Sequence, residues 1–278
     1  MTPDLPPVAS PEAARSRGTG NFTTRILGVA AVATLAATAW LGLVVSPPDV
    51  VQGQLVRLIY VHPAVATVCY VGFGLCALAS MAWLWPRTRS RRWDALAGAS
   101  AEVGVVFCGL TLVTGSIWGR ASWGVWWTWD ARLTLTALLF AVFVGYLGLR
   151  RTGGSPEGRA RRSAVAAIVC SLVVPVDHEA TNWWRTLHQG NTLTKTNPSI
   201  HGWQLATMAL SFLAFGLLFA WVLIHRYRLE LLEDRYETEG LGLALEERRA
   251  EGAPPVAPHA LTSTPLPADP LASEATAR

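Results

Sequence analysis

Charge is scarce in this chain. Of its 278 residues, 15% are Asp, Glu, Lys or Arg, while 51% are hydrophobic. With a mean hydropathy of +0.31, that composition excludes an ordinary soluble domain. Catalytic signatures are missing as well. No Gly-rich phosphate loop is present, so the chain hydrolyses no ATP itself, and neither G-x-S-x-G nor H-E-x-x-H occurs. The reading is therefore not an enzyme. Cysteine is limited to Cys69, Cys76, Cys108 and Cys170, each inside an apolar run. None forms C-x-x-C or has metal-ligand spacing with a His, which leaves small buried apolar residues. Ionisable residues deep in the apolar runs are nearly absent, and Glu102 sits at a run's end. A proton-coupled transporter places such groups near mid-membrane, so that class is weakened.

What the chain does have is long apolar runs. They lie at about 26–46, 62–85, 101–117, 133–149, 164–176 and 203–224. A bilayer core of about 30 Å needs about 20 helical residues. The fifth run is short by itself and must extend through Asp177, His178 and Glu179 toward Trp183 and Trp184, or be thinned at its outer end. The predicted fold is an all-α integral membrane protein with six transmembrane helices. Residues 1–24 read as a disordered tail, 25–225 as the transmembrane domain, and 226–278 as a charged, then Pro- and Ala-rich tail. The Leu spacing after Ile224 predicts that the sixth helix continues past the membrane. Segments 86–97 and 150–163 carry nine Arg, against five Arg or Lys in the alternate segments 47–61, 118–132 and 177–202. The positive-inside rule then puts both termini in the cytoplasm. Segment 118–132 and the loop holding His188 fall together on the outer face.

Residues 118–134 read WGRASWGVWWTWDARLT and hold five of the 13 Trp. An aromatic belt at the membrane interface is one reading. A platform for a large flat ligand is the other, because a belt needs only one or two Trp per crossing. If 123–130 is helical, Trp123, Trp126, Trp127 and Asp130 share a face and Trp129 points elsewhere. Four His are outer: His62, His178, His188 and His201. His62 opens the second span in LIYVHPA, and His188 lies in NWWRTLHQG beside Trp183 and Trp184. His178 and His201 read as interfacial hydrogen-bonding residues. Neutral imidazole is the commonest metal ligand and a usual axial ligand of haem iron. Zinc competes, but a zinc site gives no reason for so much indole. A porphyrin needs iron ligands, aromatic walls and cations for its carboxylates. Arg57, Arg120, Arg132 and Arg185 are the candidate cations, although Asp130 and Arg132 can also pair locally. Without C-x-x-C-H, the chain attaches no c-type haem to itself.

WGVWWTWDARLT resembles the Trp-rich (WWD) signature of the haem-handling proteins of cytochrome c biogenesis. With IYVHP before it and NWWRTLHQG after it, the order is similar to that of the haem exporter protein C family, over roughly residues 25–225. The resemblance implies a haem b cargo held at the periplasmic face of the inner membrane. It makes His62 and His188 the axial ligands, and Trp118, Trp123, Trp126, Trp127 and Asp130 the platform. It also implies partners: an ABC transporter with ATPase and membrane subunits, a small membrane subunit, and a periplasmic haem chaperone that receives the cargo. The C-terminal extension beyond Arg228 has no counterpart in that pattern. A haem lyase of cytochrome c and a small-molecule permease are the alternative functions. The larger haem lyases resemble this chain less, having more spans and further His within the membrane.

Overall fold

The structure is a computed structural model, and it describes residues 19–50, 52–190 and 200–252. The polar tails expected at 1–24 and 226–278 fall outside it at residues 1–18 and 253–278. Among the described residues the fold is all-α, with six segments long and apolar enough to cross a membrane.

Helix α1 spans Phe22–Trp40 and runs into a π turn, Leu41–Val45. It starts earlier than the apolar run because Asn21 and Thr24 form a reciprocal capping box. A 3₁₀ helix, Gln54–Tyr60, leads into α2, His62–Leu84, with Pro63 in its first turn. Pro is tolerated there because the first N–H groups have no intrahelical partner. Helix α3, Arg91–Trp123, is 33 residues long. It reaches well beyond the 101–117 run, taking up most of the Arg-rich segment 86–97. Helix α4 is Ala131–Arg150, capped by Asp130.

The fifth crossing is broken into α5, Pro156–Ser171, and α6, Val173–Trp183. The break at Leu172 has a covalent cause. Pro175 offers no N–H to Ser171 and its ring crowds that carbonyl. Of the two options that the short run leaves, the fold takes the extension through Asp177, His178 and Glu179 to Trp183. The last helix, α7, is Gly202–Gly252 and continues beyond the apolar run, as the Leu spacing predicts.

The core is built on α2 against α3, the most extensive helix pair. Small residues let the backbones approach: a Cβ on Gly72 would lie 3.0 Å from Gly104 Cα and 3.2 Å from the Ser100 carbonyl oxygen. Phe73 stacks on Phe143 of α4 with ring centroids 3.7 Å apart. Cys69, Cys76 and Cys108 are buried and free, and Cys170 is half-buried and free.

At the arginine-rich end, Arg150 bonds Asp94 at 2.8 Å and Glu230 at 3.3 Å. Arg226 joins Glu102 to Glu230. Glu102, at the end of its apolar run, is ion-paired there with Arg226. The opposite ends of α2, α3, α4 and α6 carry the residues that follow.

Candidate ligand-binding site

Pro63 and the 3₁₀ segment place His62 at the first residue of α2. Its ring packs into a notch on α3, where a Cβ on Gly115 would sit 2.9 Å from His62 Cε1. His62 Nδ1 is 3.1 Å from Thr114 Oγ1. The Thr114 hydroxyl spends its proton on the Leu110 carbonyl at 2.7 Å. It must therefore accept from His62 Nδ1–H, and the lone pair is left on Nε2.

His188 follows the same logic. Its Nδ1 lies 2.9 Å from the Gln189 carbonyl oxygen, which can only accept, so Nε2 again carries the lone pair. The two imidazole ring centroids lie 6.3 Å apart, with their planes tilted by 41°. Trp118 meets His62 edge-on at 5.7 Å, and Trp123 meets His188 at 6.4 Å.

Cavities open from this pair. The largest is about 460 Å³ and has both His in its wall. Ile59, Trp118, Met208 and Phe212 make one side apolar, while Tyr70, Arg132 and His178 make the other polar. A smaller one of about 50 Å³ lies toward Trp123, Trp127 and Leu133, again with both His in its wall. A third of about 80 Å³ lies between Trp118, Trp123 and His188. Among the described residues, the Trp127 indole Nε1 is buried with no hydrogen-bond partner. Such a donor is costly unless something accepts from it.

Burial holds the His188 pKa below its ordinary 6.5, and the bond to the Gln189 carbonyl only partly opposes this. The imidazole is thus neutral at pH 7. The sign for stability follows: below pH 6.5 the unfolded chain binds a proton at this position more readily than the folded one. Stability is full above 6.5 and falls as the pH drops toward the folded value. The ligand-free protein in detergent is expected to melt at a lower temperature at pH 5.5 than at pH 7.5. His188→Gln should shrink that difference; an equal difference in the variant would assign it elsewhere.

Two points that the sequence leaves open are decided here. The stretch 123–130 is not helical. Helix α3 stops at Trp123 because Gly124 takes φ 78°, a left-handed value that glycine adopts without strain. The tryptophans are therefore divided, Trp118 and Trp123 on α3 and Trp126, Trp127 and Trp129 along the following loop, instead of sharing one helical face. Nor does Asp130 pair with Arg132. Asp130 Oδ1 accepts from Leu133 N at 2.9 Å, capping α4, and Oδ2 accepts from Leu187 N at 2.9 Å. Arg132 Nη1 donates to the backbone carbonyls of Asp177 at 2.7 Å and His178 at 2.9 Å. Asp130→Ala is expected to cost about 1 kcal/mol for the lost cap alone, read as a lower melting temperature with faster loss of bound ligand.

The structure brings together His62, His188, Trp118, Trp123, Trp127 and Arg132 around the cavities. Trp126, Trp129, Trp183, Trp184 and Arg185 are exposed and stand outside the cavity walls. Trp129 meets Trp127 edge-on at 5.5 Å, and Trp183 meets Trp184 at 5.8 Å. His201 is exposed, and His225 Nδ1 is 2.9 Å from Thr19 Oγ1. Tyr70, Gly115 and Asp177 were not among the sequence candidates. Helical spacing offers a signal for the first two. Residues 62, 66 and 70 share a face of α2, and 111, 115 and 118 share a face of α3. Asp177 has no such signal, as a carboxylate inside a run reads as a helix end.

Fold and site together define a polytopic membrane protein with an aromatic-walled cavity at one end and two imidazoles in its wall. Residues 7–241 match the family described as heme exporter protein C. Three relatives carry that same name. One from Haemophilus influenzae is 36% identical, covering 69% of this chain and 78% of the relative. One from Bradyrhizobium diazoefficiens is 34% identical, covering 77% and 82%. One from Rhodobacter capsulatus is 32% identical, covering 82% and 92%. The chain belongs to the heme exporter protein C family.

Proposed function

We propose that the chain holds haem between His62 and His188 and passes it to a haem chaperone during cytochrome c maturation. Family membership makes it a haem-handling component and not an enzyme. The observation that carries the finer reading is the separation of the two imidazoles. An imidazole nitrogen lies about 1.1 Å from its ring centre and binds a metal at about 2.0–2.1 Å, so two rings that approach one ion from opposite sides would stand about 6.2–6.4 Å apart. The ring centroids here are 6.3 Å apart.

The surroundings fit a porphyrin. Both rings use Nδ1 in an outer hydrogen bond, the arrangement that orients a metal-ligating His. Trp118, Trp123 and Trp127 supply flat apolar wall, and the unpartnered Trp127 N–H supplies a donor. Arg132, on the polar side of the largest cavity, supplies a cation for a carboxylate edge. Trp126, Trp129, Trp183, Trp184 and Arg185 would meet the cargo or its acceptor from outside the cavity. When bound, haem would bring its own iron chemistry; the chain's residues bind it, orient it and release it.

The arginine-rich segments 86–97 and 150–163 lie at the opposite ends of the spans from His62. By the positive-inside rule this end faces the periplasm and both termini face the cytoplasm. A chaperone on the periplasmic side would then reach the exposed Trp surface. An ATPase, its membrane subunit and a small membrane subunit would be the further partners in the inner membrane. The loop-borne position of His188 suits transient holding, since its segment can move without unpacking the helices. The test is spectroscopic. Protein purified from haem-replete cells should show a Soret band of six-coordinate, low-spin haem b. Its absence under those conditions would remove the reading.

A further inference from the structure

The carboxylate of Asp177 is fully buried, inside a membrane-spanning segment. It accepts from Tyr70 Oη at 2.8 Å, lies 3.1 Å from Thr136 Oγ1, and forms an ion pair with Arg132 Nε at 3.7 Å. Removing a carboxylate and a guanidinium from water costs several kcal/mol for each ion, and a well-packed apolar pair is often as stable. Packing alone therefore gives no reason for this pair. An ionisable residue within a membrane span is a functional candidate by default.

Its geometry indicates what it does. Arg132 lies in the first turn of α4, two residues after the cap Asp130. Its guanidinium is aimed by Asp177 onto two carbonyls of α6, those of Asp177 and His178. Asp130 reaches in the same direction and holds Leu187 N. The first turn of α4 thus grips the 177–188 segment at two points. From the end of α6 at Trp183 to His188 there are five Cα steps, at most about 18 Å of chain. Where α6 is fixed, His188 is confined.

We propose that Asp177 is a positioning residue for the cargo. It is the buried anchor through which the first turn of α4 grips α6 and sets the stand of His188 against His62. Tyr70 and Thr136 share its load from α2 and α4. This rests on the bis-imidazole reading above.

The test uses the full-length protein purified from haem-replete cells. Asp177→Asn keeps the shape and removes the charge. Transfer of haem to excess apomyoglobin should become faster by up to about 10-fold, the low end of what losing a direct outer-shell partner costs, because Asp177 touches neither imidazole. The low-spin spectrum should acquire a high-spin, five-coordinate component, which a general loss of packing would not produce selectively. Tyr70→Phe should move both readouts in the same direction by less, and it removes only a hydroxyl. If Asp177 acts through Arg132, the double variant Asp177→Asn/Arg132→Ala should lose haem no faster than Arg132→Ala alone. An Asp177→Asn protein with unchanged spectrum and transfer rate overturns the proposal, as does additivity in the double variant. His62→Ala and His188→Ala, run in parallel, separate the two levels. If neither alters the haem spectrum, the ligation reading and the anchor both fall. If both alter it and Asp177→Asn does not, only the anchor is wrong.

Discussion

His62→Ala and His188→Ala are each expected to strip haem from the purified protein. The loss should exceed the 10–100-fold that an outer-shell substitution typically brings, because the donor atom itself is removed. Haem content by pyridine haemochrome should fall toward the background of an unrelated membrane protein. What haem remains should be five-coordinate and high-spin. The two variants need not be equal. His62 is fixed at a helix start in a notch cut by Gly115. His188 is held by a loop whose position depends on Asp130 and α6. The His62 site should therefore keep its shape better when emptied. Added imidazole is expected to restore a low-spin band in His62→Gly more fully than in His188→Gly. Full haem content and an unshifted band in both Ala variants would exclude the two residues as ligands. It would leave the tryptophan-walled cavity as an apolar pocket for another ligand.

Gly72→Val is expected to have the largest effect on stability. A Cβ at Gly72 meets Gly104 Cα at 3.0 Å, the Ser100 carbonyl oxygen at 3.2 Å and the Phe219 ring at 3.3 Å. Two of these neighbours are backbone and cannot rotate away, so α2 and α3 must separate. Overpacking a core typically costs about 1–3 kcal/mol, and more where the backbone must move. The α2–α3 pair also carries His62 and the Gly115 notch, so haem retention should fall with stability. Gly74 is the control. It lies on the same helix with nothing within 4 Å of its Cβ position. Gly74→Ala should leave the protein folded and slightly stabilised, by about 0.5–1 kcal/mol, since Ala loses less backbone entropy than Gly in a helix. Thermal aggregation in detergent, followed by size-exclusion chromatography, measures both. Equal melting behaviour of Gly72→Val and Gly74→Ala would show that the close approach of α2 and α3 is not a stability determinant.

Much of the architecture is legible from residue order. The six crossings follow from hydropathy, which is a property of each window of about 20 residues. The short run 164–176 shows how far that goes. Its deficit leaves extension through Asp177 to Trp183 or a thinned outer end, and the folded chain takes the extension, with a break at Leu172. The family is legible too, since three motifs keep their order and spacing along the chain. The orientation of individual tryptophans is not. Five Trp in one stretch announce an aromatic surface, yet one glycine, Gly124, turns the chain out of the helix and divides them. Trp118 and Trp123 stay on α3, Trp127 turns into the cavity, and Trp126 and Trp129 face outward.

Local sequence therefore suffices for the crossings, the family and the list of chemically able residues, because propensity, hydropathy and motif spacing act over neighbouring positions. The 6.3 Å separation of His62 from His188 across 126 positions, the burial of Asp177, and the grip of Arg132 on α6 belong to the folded protein. Each depends on the close approach of α2 and α3, on the break at Leu172, and on hydrogen bonds between segments far apart in the chain. No local window contains both partners of such a contact, so only packing the helices brings them within reach.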